Sequence, residues 1–541
     1  MFGRVKARDA ILATAEKKSL HRSLGAFQLT MLGIGAVIGT GIFVLTSEAA
    51  QKAGPGMLLS FIVAGFVCAV AALCYSELAS MVPVAGSAYT YTYAVVGELL
   101  AWMVGWALIL EYAVGASAVA VGWSNHAVGL MDGLGVHIPT AISNADALMA
   151  KVRILFGAPM SDDLKTALEV GGWVNVPAIL ITALVTWLLV IGTTESARVN
   201  AVLVAIKIVA LTAFIALTIP VLNSDNFAPL MPTGGAGVFG AAASIFFAYV
   251  GFDAVSTAAE ETKNPQRNVP IGLIGALGIC TIFYILVATG AIGAIGAQPV
   301  MGPNGAALPP GSAEMAGRCA SIVASGAVEP LVCSKEALVH VLDVIHWPAI
   351  GRLVGLAAVL ALPSVVLMMM FGQTRVFFVM ARDGLLPAKL ASVHPKFRTP
   401  HVVTIFTGCA AALAAAFLPV GKLADYSNSG TLFAFFMVAV SVMVLRKTDP
   451  DRRRPFRTPF VWIIAPLAMI GCLGLYFSLP LTAILVLPGW GLVGLLVYYF
   501  YSRQRSHVGL GLTEVHELDA DAPHVGIAGM PGAPAPGERD E

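Results

Sequence analysis

Residues 27–50 read FQLTMLGIGAVIGTGIFVLTSEAA. The stretch holds enough apolar residues for one membrane crossing, which takes roughly 17 to 25. It is nevertheless a poor continuous helix. Gly33, Gly35, Gly39 and Gly41 punctuate it, and a glycine inside a helix costs about 1 kcal/mol relative to alanine. One reading is a packing face, where small residues let helices approach closely. The other is a helix broken at Gly39-Thr40-Gly41. Hydrocarbon tolerates no exposed irregular backbone, so a broken helix must be buried in protein or line a watery cavity. Transporters that bind substrate at mid-membrane use that arrangement. The glycines are not a dinucleotide loop, because residues 33–38 lack the third glycine and follow no soluble strand.

The whole chain of 541 residues is 57% hydrophobic and 12% charged, against about 25% charged for soluble proteins. Its class is therefore an all-α polytopic membrane protein in contact with the lipid bilayer. A net charge of +1 and basic clusters explained by topology leave no surface for nucleic acid. Residues 1–26 read as a cytoplasmic N-terminal segment, since the first apolar stretch is too long for a signal-peptide core and further spans follow it. Five of the seven cysteines lie in apolar spans and read as small core residues. Cys319 and Cys333 share a long loop expected outside, where a disulfide or two independent thiols would each fit. No metal-ligand cluster appears, and no nucleophile–base arrangement recurs at one membrane depth, so no metal, cofactor or catalytic residue is expected.

Apolar spans are read at about 27–50, 57–81, 97–121, 173–193, 199–221, 237–260, 270–292, 350–381, 401–419, 428–446, 460–479 and 481–501, twelve in all. Positive charge falls mainly on one side, with Arg446, Lys447, Arg452, Arg453, Arg454 and Arg457 as its densest cluster. This side is expected inside, with both termini. Two outer loops are long. The first, 122–172, carries a surface helix at Ile142 to Phe156. The second, 293–349, becomes helical at Lys335 to Ile345, where apolar residues recur at helical spacing. The inner segment 83–96 is either a helical arm or a connector. Residues 506–541 read as a disordered cytoplasmic tail.

The sixth span supplies the second clue. It contains Tyr249, Gly251 and Asp253, and an acid within a span is costly unless it faces protein or water. Interrupted segments at corresponding places in two halves point to a transporter built from inverted repeats. Two five-span repeats follow, 27–221 and 237–446, with two further C-terminal spans at 460–501. This favours the broken-helix reading of the first span. The charged exit from the sixth span, Glu260 to Pro270, reads as a gate or as topology-setting charge, with Pro265 and Pro270 expected to interrupt any helix.

Two such breaks imply a chemistry. The amides of Thr40, Gly41 and Ile42, at the start of an outer half-helix, would receive an anion, and a carboxylate fits best. The carbonyls at Val37 and Ile38, and those near Phe247 and Ala248, would receive an ammonium. Together they would clamp the head of an α-amino acid, with Tyr249 and Gly251 alongside. Glu111, mid-span in the third segment, could favour a basic side chain, carry a proton, or serve as a paired structural acid. Lys207, in the fifth span, is either a lysine snorkelling to the interface or a proton-linked cation inside the bundle. A methionine of the run 368–370, such as Met369, could line the side-chain pocket.

These residues resemble the cationic amino acid transporter family of the amino acid–polyamine–organocation superfamily. The likeness is carried by GIGAVIGTGIF at Gly33 to Phe43 and by FAYVGFD at Phe247 to Asp253, which continues to Pro265. It is carried further by GQTR at Gly372 to Arg375, MARDGLLP at Met380 to Pro387, HPKFRTP at His394 to Pro400 and GTLFAF at Gly430 to Phe435. It covers roughly residues 20 to 500. The resemblance implies a LeuT-like 5+5 inverted repeat with two additional helices and amino acid transport by alternating access. It also implies substrate-carboxylate contacts at Thr40 and Gly41, and proton coupling with Lys207 at a sodium-like site. Twelve spans match the bacterial members, implying an inner-membrane location, and the long 293–349 loop departs from their compact pattern. The expected function is proton-coupled uptake of neutral or cationic amino acids. The alternatives are an exchanger, a polyamine carrier or a non-transporting sensor. The oligomeric state is not encoded in any feature of the sequence.

Overall fold

The computed structural model describes residues 24–82, 86–155, 165, 168–169, 171–192, 197–257, 262–302, 305–397 and 399–511. The N-terminal segment before residue 24, the acidic pair Glu260 and Glu261, and the tail beyond 511 lie outside the described residues. Among the described residues eight helices are long and apolar enough to cross a membrane. Four shorter apolar helices accompany them, Ala26–Val37, Val176–Ile191, Gly234–Tyr249 and His401–Phe417. Extended pairing is confined to Val174–Asn175 against residues 143–144 and to isolated bridges. The chain is a multi-pass, all-α membrane protein.

The first span is interrupted. Ala26–Val37 stops at Ile38 (φ −71°, ψ 98°), Gly39 is extended, and a new turn, Thr40–Phe43, leads into Leu45–Ala53. The sixth is interrupted too. Gly234–Ile245 tightens into a 3₁₀ turn at Phe246–Tyr249, turns at Gly251 (φ +114°), and resumes at Ala254–Thr257. The two segments lie against each other, as do Met57–Met81 and Pro265–Ile295, Glu98–Gly133 and Pro348–Arg382, and Val176–Ile191 and His401–Phe417. Each of these pairs joins spans five apart. Val461–Ser478 and Leu481–Val497 turn Ile463, Ile470, Phe477, Leu485 and Leu496 outward, as lipid-facing helices do.

Prolines inside spans free a carbonyl four residues earlier, and in lipid that carbonyl needs a donor. Pro363 lies inside Pro348–Arg382, and the Trp123 indole donates to the Val359 carbonyl at 2.9 Å. Pro488 lies inside Leu481–Val497, and the Tyr476 hydroxyl donates to the Ile484 carbonyl at 2.7 Å. Pro265 and Pro270, expected to interrupt any helix, instead belong to Pro265–Ile295. Pro265 occupies the first position, where a missing N–H costs nothing, and Pro270 follows in the second turn.

Other boundaries also move. The third span continues to Gly133, and its 36 residues make roughly 54 Å of helix, longer than a hydrocarbon core. Its extension is held by Ser124, which donates to the Asn175 side chain at 2.7 Å. The tenth span starts at Val420 rather than 428, which brings Asp425 and Ser427 into the buried helix that carries Asn428. Residues 87–95 form a helical arm, with Tyr89 donating to Asp383 and Tyr93 to Glu98. The start of the expected tail is packed, Ser506 donating to the Glu98 carboxylate. In the long 293–349 loop the Ala337–Val344 helix is joined by one the sequence did not announce, Ala313–Ala324. A disulfide links Cys319 and Cys333, with Cα atoms 5.7 Å apart.

Candidate functional site

The two breaks meet. A Cβ on Gly41 would lie 2.2 Å from the Ala248 Cα, and one on Gly251 would lie 3.0 Å from the Ala36 carbonyl. Only glycine allows backbones this close. Thr40, Gly41, Ile42, Phe247 and Ala248 are all buried within this crossing. The Thr40 hydroxyl has no hydrogen-bond partner and faces Gly122 of the third span, where a Cβ would lie 3.0 Å from its Oγ1. The Ile42 carbonyl accepts from the Thr46 hydroxyl at 2.6 Å.

Tyr284, on Pro265–Ile295, was not foreseen. Its hydroxyl lies 2.8 Å from the carbonyls of both Val37 and Ala248, and its single proton serves one or the other. The sequence signal, a lone tyrosine in an apolar span, gave no hint of this bridge. The Phe247 carbonyl closes a turn, accepting from the Val250 amide at 3.2 Å. The carbonyls expected to receive an ammonium are thus partly engaged within the protein.

The third span presents one face to the crossing. Gly122 meets Thr40, and Gly115, two turns earlier, faces Met369, Phe247 and Ser427. Glu111 follows one turn further. Its carboxylate is fully buried, beside the Thr431 hydroxyl. A charge buried unpaired is expensive, so this carboxyl is either neutral or matched by a bound cation. Met369 and Phe247 therefore stand together, with Glu111 beneath them. Tyr249 does not join this group: its hydroxyl donates to the Phe61 carbonyl at 2.9 Å, and its ring packs on Tyr284. Asp253 accepts from the Tyr112 hydroxyl at 2.8 Å.

Lys207 does not snorkel. It is fully buried, and its ammonium donates to the Gly35 carbonyl at 2.7 Å. Gly35 lies in the last turn of Ala26–Val37, whose C-terminal end carries negative partial charge. On the other side of the crossing, Lys52 contacts Ser244, Glu48 (3.2 Å) and Asp425 (3.5 Å). On the face carrying the arginine cluster, Glu77 accepts from Arg446, from Arg454 and from the Thr458 amide. One network thus ties spans one, six and ten and the other ties spans two and ten, flanking the crossing on both faces.

Residues 24–494 match the family model described as amino acid permease. The chain is 42% identical to the branched-chain amino acid permease BcaP of Bacillus subtilis, over 94% of this chain and 98% of that protein. It is 40% identical to the methylthioribose transporter of Bacillus subtilis, over 93% and 98%. It is 34% identical to the vacuolar cationic amino acid transporter 4 of Arabidopsis thaliana, over 80% and 64%.

Proposed function

The chain belongs to the amino acid permease family, a family of transporters rather than enzymes, and from that premise we propose that it carries neutral, apolar L-amino acids by proton-coupled alternating access. The observation that carries this reading is the crossing of two interrupted helices, Gly41 against Ala248, with Tyr284 bridging both. The amides at Thr40, Gly41 and Ile42 start the outer half-helix and suit a carboxylate. The substrate side chain would then lie toward Phe247 and Met369, an apolar wall, and the name of the Bacillus branched-chain permease agrees with such a substrate. Glu111 lies deeper, within reach of long basic side chains only.

The proton would act at Lys207. Its ammonium holds the inner half-helix of the first break through Gly35, and losing the proton would weaken that grip and free the half-helix to tilt. The pairing of spans five apart supports two five-span units, 27–221 and 237–446, moving against each other. The arginine-rich face would be cytoplasmic, together with both termini.

Uptake of radiolabelled leucine into proteoliposomes, with and without an inward proton gradient, tests the reading. Alanine, arginine, lysine, putrescine and methylthioribose serve as competitors. Gradient-stimulated leucine accumulation is expected. Binding without accumulation would make the protein a sensor, uptake only into preloaded vesicles would make it an exchanger, and preference for putrescine or methylthioribose would reject the amino acid clamp.

A further inference from the structure

The two breaks are held in matching ways. Lys207, in the fifth span, donates to Gly35, which lies two residues before the last residue of Ala26–Val37. Asn428, in the tenth span, donates from Nδ2 to Ala243 at 2.8 Å and to Ser244 at 2.9 Å. Ala243 lies two residues before the last residue of Gly234–Ile245. Each break thus has its C-terminal carbonyls, which a helix cannot satisfy itself, met by a buried polar side chain from a span four further along the chain. The two side chains differ in one respect. An ammonium has donors only, whereas an amide also carries an acceptor.

That acceptor is unused. Two carbonyls can be served only by the NH₂ group, which fixes the orientation of the amide. Oδ1 is then left facing away from them, in a side chain that is fully buried, with no hydrogen-bond partner. A buried acceptor without a donor calls for an explanation. Its surroundings supply one. The preceding residue, Ser427, faces Gly115 together with Met369 and Phe247, and the carbonyls Asn428 holds lead directly into the 3₁₀ turn at Phe246–Tyr249. An α-ammonium brings three N–H donors, while the Val37 and Ala248 carbonyls already share the Tyr284 hydroxyl.

We propose that Asn428 is a substrate-positioning residue: its Nδ2 holds the end of the second half-helix, and its Oδ1 accepts a hydrogen bond from the ammonium of the bound amino acid. Asn428 carries no titrating proton, so it anchors substrate on one break while Lys207 responds to protons on the other. This rests on the amino acid transport reading above.

The test is inhibition of labelled leucine uptake by unlabelled leucine and by 2-hydroxy-4-methylpentanoate, which replaces the ammonium with a hydroxyl. Wild type, Asn428→Leu and Asn428→Ser are compared, each with its thermal unfolding curve. A hydrogen bond to a charged group corresponds to about tenfold or more in affinity. Both variants should therefore weaken leucine by about that factor and the hydroxy acid much less, narrowing the preference between the two. Equal weakening of both compounds would reduce Asn428 to a structural clamp and overturn the proposal, as would unchanged inhibition. Should Asn428→Leu fail to fold, Asn428→Ser, which keeps a donor for one carbonyl, decides between these outcomes. Absence of leucine uptake by the wild type would reject the transport reading instead.

Discussion

Replacing Gly41 by alanine adds one methyl group at the point where the two interrupted helices touch. That methyl carbon would sit 2.2 Å from the Ala248 Cα, 2.3 Å from its Cβ and 3.0 Å from its amide nitrogen. Favourable carbon–carbon contacts begin near 3.5 Å, so the breaks would have to separate by roughly 1.3 Å. The obstacle is backbone on both sides, so no rotamer change relieves it. Overpacking of this kind costs about 1 to 3 kcal/mol of stability. The functional cost should be larger, because a misplacement of about 1 Å in a binding constellation can lower turnover by about a hundredfold. Gly278→Ala and Gly474→Ala are the controls, since an added Cβ meets nothing within 4 Å at either position. Proteoliposome uptake and thermal unfolding of the purified variants are the assays. Gly41→Ala should still insert but lose at least nine-tenths of its uptake, with both controls near wild type. Wild-type uptake by Gly41→Ala would refute the crossing as the place where substrate is held.

Glu111→Gln keeps the volume of the buried side chain but removes the charge it would present to a bound cation. Leucine uptake should change by less than about threefold while lysine competes less well, and an unchanged lysine-to-leucine ratio would remove Glu111 from the side-chain pocket. In the 293–349 loop, burial first and Asp343 second push the Glu336 carboxyl up from 4.5 to about 7. The folded state therefore holds it as the acid, and its contribution to stability is complete below pH 4.5 and lost as pH rises through 7. Glu336→Gln should flatten the melting temperature across that window, by an amount corresponding to at most about 3 kcal/mol; an unaltered pH dependence would exclude this carboxyl as its source. Non-reducing peptide mapping should recover Cys319 and Cys333 as one linked pair, and two free thiols would contradict the bond.

Much of the architecture was legible because lipid enforces it. Long apolar runs must be helices, and the glycines at 33–41 with the group at 249–253 marked both interruptions. Packing was less legible. Tyr284 and Asn428 matter through partners 247 and 185 residues away in sequence, and no local pattern encodes such a bond. Asp425 and Ser427, which open the polar run Asp425 to Ser429, resemble a loop by composition, which is why the tenth span is expected to start only at 428. Its residues are affordable in a helix because Lys52, Ser244 and the Ala243 carbonyl meet them. Tyr249 misled in the opposite way: a hydroxyl beside a break suggests substrate contact, yet it serves the Phe61 carbonyl. Pro265 and Pro270 were read as helix breakers where the first of them starts one.

In the proposed mechanism a proton on Lys207 governs the half-helix that the lysine holds. The most direct test compares wild type with Lys207→Ala in two modes, leucine accumulation driven by an inward proton gradient and leucine exchange at equal pH. Lys207→Ala should abolish the gradient-driven accumulation while exchange persists. Accumulation by Lys207→Ala with the wild-type dependence on the gradient would contradict it.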